Sequence, residues 1–247
     1  MAVGTVHLVG AGPGHPDLLT VRAASLLKSA DVIVYDRLVQ PAVLDLAKPS
    51  AERIFMGKLL GGPESTQRDI HTVLLEKARE GKTVVRLKGG DPFLFGRGGE
   101  EAEFLAAHAV PFDVVPGVSA AIAAPLRALI PVTHRGVSAC VAFATGHEAQ
   151  EDGSGLDWGA LARIQTLVFM MGVGNVRQIC TRLIDCGRTA STPVAIIQMA
   201  YWDDERVVTS TLGAIADDVE RLGIQPPATL VIGDVVRLRD KLISSGP

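Results

Sequence analysis

Four times in its first half the chain runs from a short apolar stretch straight into a turn of glycine, proline or aspartate. Val6–Val9 meets Gly10-Ala11-Gly12-Pro13-Gly14, and residues 31–35 end at Asp36. Residues 83–87 run into Lys88-Gly89-Gly90-Asp91-Pro92, and Phe112–Val115 into Pro116-Gly117. Between these runs lie stretches with helical spacing. Leu18, Val21, Leu26 and Leu27 recur in this way across residues 17–29, residues 69–79 repeat the pattern, and a helix of small residues starts near Ser119. Short buried strands separated by helices specify a mostly parallel sheet covered on both faces. In such sheets ligands bind beyond the carboxyl ends of the strands, where all four of these turns fall.

The second half has a different rhythm. Strands are expected over residues 139–145, 166–171, 193–199, 206–212 and 228–238, with helices over 175–186 and 213–222. Strand follows strand around residues 193–212, so this sheet is mixed. The expectation is therefore an N-terminal α/β domain over residues 1–122 and a C-terminal α/β domain over 123–247. The polar stretch 150–158 reads as a solvated loop, and the tail 244–247 as frayed.

Composition supports a folded protein, with 47% hydrophobic and 21% charged residues in 247. A net charge of −3 and only 4% aromatic residues argue against a nucleic-acid partner, which calls for a basic face and stacking platforms. No apolar stretch approaches the roughly 18 residues of a membrane span. The first ten residues lack the charged and apolar regions of a signal peptide, so no membrane partner is expected. Three widely spaced cysteines (Cys140, Cys180, Cys186) form no disulfide or metal framework, and the six histidines are dispersed. A cytoplasmic protein without a metal is expected.

Several segments carry candidate chemistry. Gly10-x-Gly12-x-Gly14 is not the dinucleotide fingerprint, because its third glycine falls one position early and His15 follows. It is either a plain tight turn or a loop whose backbone lies close to a ligand. The run Gly89 to Glu101 holds five glycines with Phe93, Phe95, Arg97 and three acids. Glycine lets backbone approach a ligand, phenylalanines line apolar slots, and arginine pairs with carboxylates in a planar fork. The alternative is a surface loop with a solvated arginine. Asp36 alone reads first as a turn acid or helix cap, and Lys58 and His134 alone read as ordinary polar residues.

Taken together, these segments resemble the uroporphyrinogen-III C-methyltransferase family within the tetrapyrrole methylase group. The resemblance runs through Val6 to Gly14, Tyr35-Asp36-Arg37-Leu38-Val39, Gly57-Lys58 with Gln67, Lys88 to Glu101, Pro116 to Ala120, Pro131 to Gly136, and Thr145-Gly146-His147. The stretches Phe95 to Glu101 and Thr133-His134-Arg135 are its most specific parts. It implies two α/β domains with the active site in the cleft between them, and a homodimer. It further implies S-adenosylmethionine (SAM) as cofactor, held at Pro13, Gly89, Gly90, Asp91, Leu94, Ser119, Ala120, Met171, Ala200 and Thr229. Asp36 matches the family's proton acceptor and Lys58 its proton donor. His15 stands where the family usually has Asp, Ser119 where it has Thr, and Met170 where it has Tyr; residues 198–204 are the least family-like.

The implied reaction methylates uroporphyrinogen III twice on ring carbons to give precorrin-2, on the routes to sirohaem and cobalamin. The reduced ring is already nucleophilic, so orientation and water exclusion are the main contributions required of a protein. Arg97, Arg135 and Lys58 suit the eight substrate carboxylates, with Phe95 lining the substrate side. The alternatives are a later corrin-pathway methyltransferase, an RNA methyltransferase of the same fold, and a non-catalytic binding module. The Phe95-Gly96-Arg97 segment, the acidic net charge and the retained Asp36 and Lys58 weigh against each in turn.

Overall fold

The computed structural model describes residues 2–57, 66–147 and 155–244. Chain contacts divide it into two compact units, Met1–Ser119 and Ala120–Pro247.

The first unit is a five-stranded sheet of order β3-β2-β4-β1-β5, parallel at every pairing. Its strands are β1 (Val6–Gly10), β2 (Val32–Tyr35), β3 (Glu52–Phe55), β4 (Val84–Lys88) and β5 (Phe112–Val115). Alternation of side chains sorts the core into two layers. Val9, Ile33, Val85 and Leu87 pack under helices α1 (Val21–Ser29) and α2 (Pro41–Leu44). Leu8, Val34 and Val84 pack under α3 (Gln67–Arg79) and α4 (Gly98–Ala107). The chain leaves β1 toward one face and β4 toward the other, although these strands are neighbours. This is a topological switch point, where a crevice opens at the strand ends.

Local signals explain several boundaries. Thr20 caps α1 by accepting the Ala23 amide at 3.1 Å. The helix therefore begins at Val21, whose side chain is 89% exposed instead of joining the expected apolar stripe. Thr66 and Asp69 form a reciprocal capping box at α3. His15 caps the short 3-10 turn Pro16–Leu18, its Nδ1 accepting the Asp17 amide at 3.2 Å, so a histidine performs a cap that Ser, Thr, Asp or Asn usually performs.

The second unit holds a mixed sheet of order β6-β7-β10-β8-β9. Its strands are β6 (Val141–Thr145), β7 (Thr166–Met170), β8 (Pro193–Gln198), β9 (Arg206–Thr211) and β10 (Ala228–Ile232). Only β6 and β7 are parallel. Leu167, Phe169, Ile196 and Leu230 face the core with α6 (Trp158–Arg163), α7 (Val176–Asp185) and α8 (Ile215–Leu222). Helix α5 (Ala120–Arg127) lies against β7 and β10. The expected strand over 228–238 stops at Ile232, because Gly233 at φ +143° turns the chain into a 3-10 turn and α9 (Leu238–Ser244). The expected loop 150–158 is described only from residue 155, and Trp158 already belongs to α6, buried against Phe169.

Candidate active site

The turns after β1 and β4 are stitched together by backbone alone. The Gly90 amide donates to Gly12 O at 2.7 Å, Gly12 returns a bond to Gly90 O at 3.2 Å, and Ala11 donates to Lys88 O at 2.7 Å. Gly12 and Gly90 sit at φ +73° and +70°, which favours glycine. Side chains are excluded here by contact as well as by conformation. A Cβ on Gly117, after β5, would stand 2.2 Å from Gly90 O, and one on Gly10 would stand 2.5 Å from Gly117 N. A Cβ on Gly89 would meet Leu38, after β2, at 2.7 Å. The carboxyl ends of four strands therefore converge on a surface of peptide groups, suited to a ligand recognised by backbone.

Asp91 organises this surface. Its Oδ1 accepts the amides of Phe93 (2.9 Å) and Leu94 (3.2 Å), and its Oδ2 accepts that of Gly117 (3.1 Å). Pro13, next to Gly12, and Leu94, three residues after Asp91, are half-buried, and Ser119, the last residue of the unit, is buried. Beyond Asp91 the backbone is strained, with Phe95 and Arg97 at φ +53° and +58°. Each such residue costs of order 1–3 kcal/mol and persists only where its surroundings fix it. Here the Asp91 turn and a bond from Gly98 N to Pro92 O at 2.9 Å hold it. The strain presents Phe93 and Phe95 outward, 58% and 37% exposed.

Arg97 is exposed, but its fork is already occupied. Its Nε and Nη2 donate to Glu100 at 2.9 and 2.7 Å, which also raises the guanidinium pKa. Glu100 escaped the sequence reading; the Arg–Glu spacing of three at a helix start was the available signal. The stretch from Gly98 is the first turn of α4 and no longer part of a loop. In that turn Glu101 is fully buried.

Asp36 follows β2, with its side chain 27% exposed. Its Oδ1 accepts the Leu38 amide at 3.1 Å, and its Oδ2 lies 3.7 Å from Nη2 of Arg86, a buried residue of β4. Arg86 in turn donates through Nε to Glu101 Oε1 (3.2 Å), which also accepts Lys88 Nζ (2.8 Å) and Gln67 Nε2 (3.2 Å). Burial opposes the Glu101 charge, yet Arg86 and Lys88 hold its carboxyl below the usual carboxylate range. Burial and then Arg86 push Lys88 below the ordinary amine value, against the pull of Glu101 and Asp36. Lys58 lies outside the described residues.

The remaining expected site residues belong to the second unit. Met171 directly follows β7 at φ +54° and is 40% exposed. Ala200 is buried in a turn after β8, between Met199 (φ +50°) and Tyr201 (φ +66°). The Tyr201 amide donates to Glu205 Oε2, which also accepts Arg127 Nε from α5. Thr229 is 3% exposed, and its hydroxyl points at Met170 Sδ, 3.8 Å away. It therefore shapes the Met170–Met171 corner and presents little surface. Ala120 opens α5. Arg135 is exposed at the tip of a tight loop closed by paired backbone bonds between His134 and Ser138, with Gly136 at φ +80°. Among the described residues, no cluster of three metal-ligating side chains forms, and no helix is long and apolar enough to cross a membrane.

Comparison with known proteins identifies the family. Residues 5–216 match the family described as Tetrapyrrole (Corrin/Porphyrin) Methylases. A siroheme synthase of Azotobacter vinelandii is 53% identical over 243 residues, 98% of this chain but 52% of that protein. The chain thus spans about half the length of that relative. An S-adenosyl-L-methionine-dependent uroporphyrinogen III methyltransferase of Methanosarcina barkeri is 50% identical, covering 97% of this chain and 94% of that one. The crystal structure of a Thermus thermophilus uroporphyrin-III C-methyl transferase with S-adenyl homocysteine superposes with a TM-score of 0.82 at 44% identity, covering 95% of this chain and 100% of that one. On its fold and its sequence, the chain belongs to the tetrapyrrole methylase family.

Proposed function

We propose that this chain is a SAM-dependent methyltransferase that converts uroporphyrinogen III to precorrin-2 by two successive ring-carbon methylations. The observation that carries this reading is the peptide-lined surface where Gly10, Gly89 and Gly117 exclude side chains, with Asp36 at the end of β2. The family relationship and the activities named for the Methanosarcina and Thermus relatives support it.

A backbone-lined surface of this kind fits SAM, which offers hydrogen-bonding edges that peptide groups match. Pro13, Gly89, Gly90, Leu94 and Ser119 are the contacts assigned in the first unit, with Asp91 holding the loop in shape. Ala120, Met171 and Ala200 are those assigned in the second, with Thr229 supporting the Met171 corner. When bound, SAM supplies an electrophilic methyl group. The protein's own part is to fix the electron-rich ring and exclude water, which is where orientation acts on the barrier. Asp36 faces the developing positive charge of an alkylated pyrrole and takes up the proton released as the ring rearranges. Lys58 is assigned the return of a proton. Arg135 and Arg97 pair with substrate carboxylates, Arg97 with the donors that Glu100 leaves over, and Phe95 and Phe93 meet the ring's apolar surface.

The reading extends to a cytoplasmic homodimer. Ile122 and Leu126 on α5 and Leu129 in the turn beyond it are exposed apolar side chains, of the kind subunits bury, and all three cysteines are free. Transfer of a labelled methyl group from SAM to uroporphyrinogen III tests the activity. Label in the tetrapyrrole supports it, and folded protein that leaves the tetrapyrrole unlabelled refutes it.

A further inference from the structure

The buried cluster behind Asp36 holds more charge than its own members neutralise. Arg86 and Lys88, on alternate positions of β4, are 3% and 4% exposed, and Glu101 is fully buried between them. The bonds from Gln67, Arg86 and Lys88 all converge on Oε1 of Glu101, and Oε2 has no hydrogen-bond partner among the described residues. One carboxylate thus faces two cations. The second anion is Asp36, reached through Nη2 of Arg86 at 3.7 Å. Arg86 cannot follow Asp36 if it moves. Its Nε is held by Glu101, and its Nη1 donates to the carbonyls of Val34 and Leu87 at 3.4 and 3.3 Å. These anchors lie on two adjacent strands and on α4, so they place the guanidinium rigidly.

We propose that Arg86, locked from behind by Glu101, is a positioning residue that fixes the Asp36 carboxylate for methyl transfer. The Leu38 amide holds one carboxylate oxygen by a hydrogen bond, and the Arg86 guanidinium attracts the other as an ion pair at 3.7 Å, so the carboxylate is oriented by two groups. Gln67 and Lys88 complete the support by holding Glu101 in its rotamer. Sequence could not suggest this arrangement, because Arg86 and Lys88 sit in an apolar strand while Glu101 is the second of two acids after a pair of glycines. The proposal rests on the reading that Asp36 acts in the transfer.

A double-mutant cycle tests it, with Arg86→Gln, Asp36→Asn and the pair compared by single-turnover rate on uroporphyrinogen III. Arg86→Gln is expected to slow turnover about 10²-fold, the scale of a 1 Å misplacement, with S-adenosylhomocysteine binding unchanged. In the Asp36→Asn background the same change is expected to cost no further rate. Glu101→Gln, which keeps the side chain's shape and one acceptor oxygen while losing the charge, follows the same pattern and carries the cycle if Arg86→Gln does not fold. Losses that multiply, or a lowered melting temperature with parental turnover, overturn the positioning role. Parental turnover in Asp36→Asn alone overturns the Asp36 reading on which the proposal stands. The two failures are therefore distinguishable.

Discussion

Gly117→Ala adds one methyl group where three strand ends meet. The new Cβ would stand 2.2 Å from Gly90 O and 2.7 Å from Gly10 Cα, and both are backbone atoms without a rotamer to change. Carbon–oxygen contacts settle near 3.3 Å, so the loops after β4 and β5 must separate by about 1 Å. That motion stretches the 3.1 Å bond from the Gly117 amide to Asp91, and with it the turn that fixes Phe93 and Leu94. Overpacking costs about 1–3 kcal/mol and loosening a bond to a charged acceptor about 1.5–3 kcal/mol. The combined loss, about 2.5–6 kcal/mol, lowers the melting temperature by about 5–24 °C in a chain of this size. Gly117 is a better site than Gly90 because Gly90, at φ +70°, would be strained by any side chain whatever the space. Calorimetric titration with S-adenosylhomocysteine and a melting curve on the same sample read both effects. Expected are weakened binding, by about tenfold or more, and the lowered melting temperature. An alanine variant that melts and binds as the parent does refutes the idea that these glycines are required by contact.

Three further outcomes follow from other parts of the chain. Arg135→Ala should raise the apparent KM for uroporphyrinogen III by about 1.5–3 kcal/mol of lost contact and leave S-adenosylhomocysteine affinity unchanged; the reverse pattern in steady-state and binding data would reassign Arg135. Burial pushes the Cys180 thiol up to about 12, so a thiol reagent at pH 8 should label exposed Cys140 and Cys186 quickly and Cys180 only on unfolding; rapid labelling of all three contradicts the packing around α7. Asp113 is half-buried, and although burial opposes its charge, His7 and Arg22 hold its carboxyl below 3.8. A depressed folded value means stability present above the unfolded value and lost as pH falls through the folded one. The parent should therefore melt above Asp113→Asn at pH 7, with the gap closing progressively as pH falls below about 4, and a difference independent of pH excludes this linkage.

Much of the first unit was written locally. Runs such as Val6–Val9 and Val32–Tyr35 are buried on both faces and needed no distant partner to be read as parallel strands. Strand β3 went unread because it lies at the sheet edge, where Glu52 and Arg53 are exposed and interrupt any apolar run. Helix α4 went unread because it opens on Gly98-Gly99, poor helix formers whose use here is close packing of Gly98 against Pro92. Of the candidate site, the glycine turns were legible as places of close backbone approach, and family resemblance named the residues around them. What the sequence concealed was long-range. Asp91 spends its carboxylate on three amides, one of them 26 residues away. Thr229 is turned toward Met170, a pairing set by strand register between β10 and β7.

The measurement that bears most directly on the central claim is the product formed from uroporphyrinogen III and SAM by the purified chain, followed anaerobically by mass and absorption. A tetrapyrrole carrying first one and then two added methyl groups on ring carbons is the predicted result, with two equivalents of S-adenosylhomocysteine released per ring. Uroporphyrinogen III recovered unchanged, while a later, already methylated corrinoid precursor is methylated under the same conditions, would contradict it.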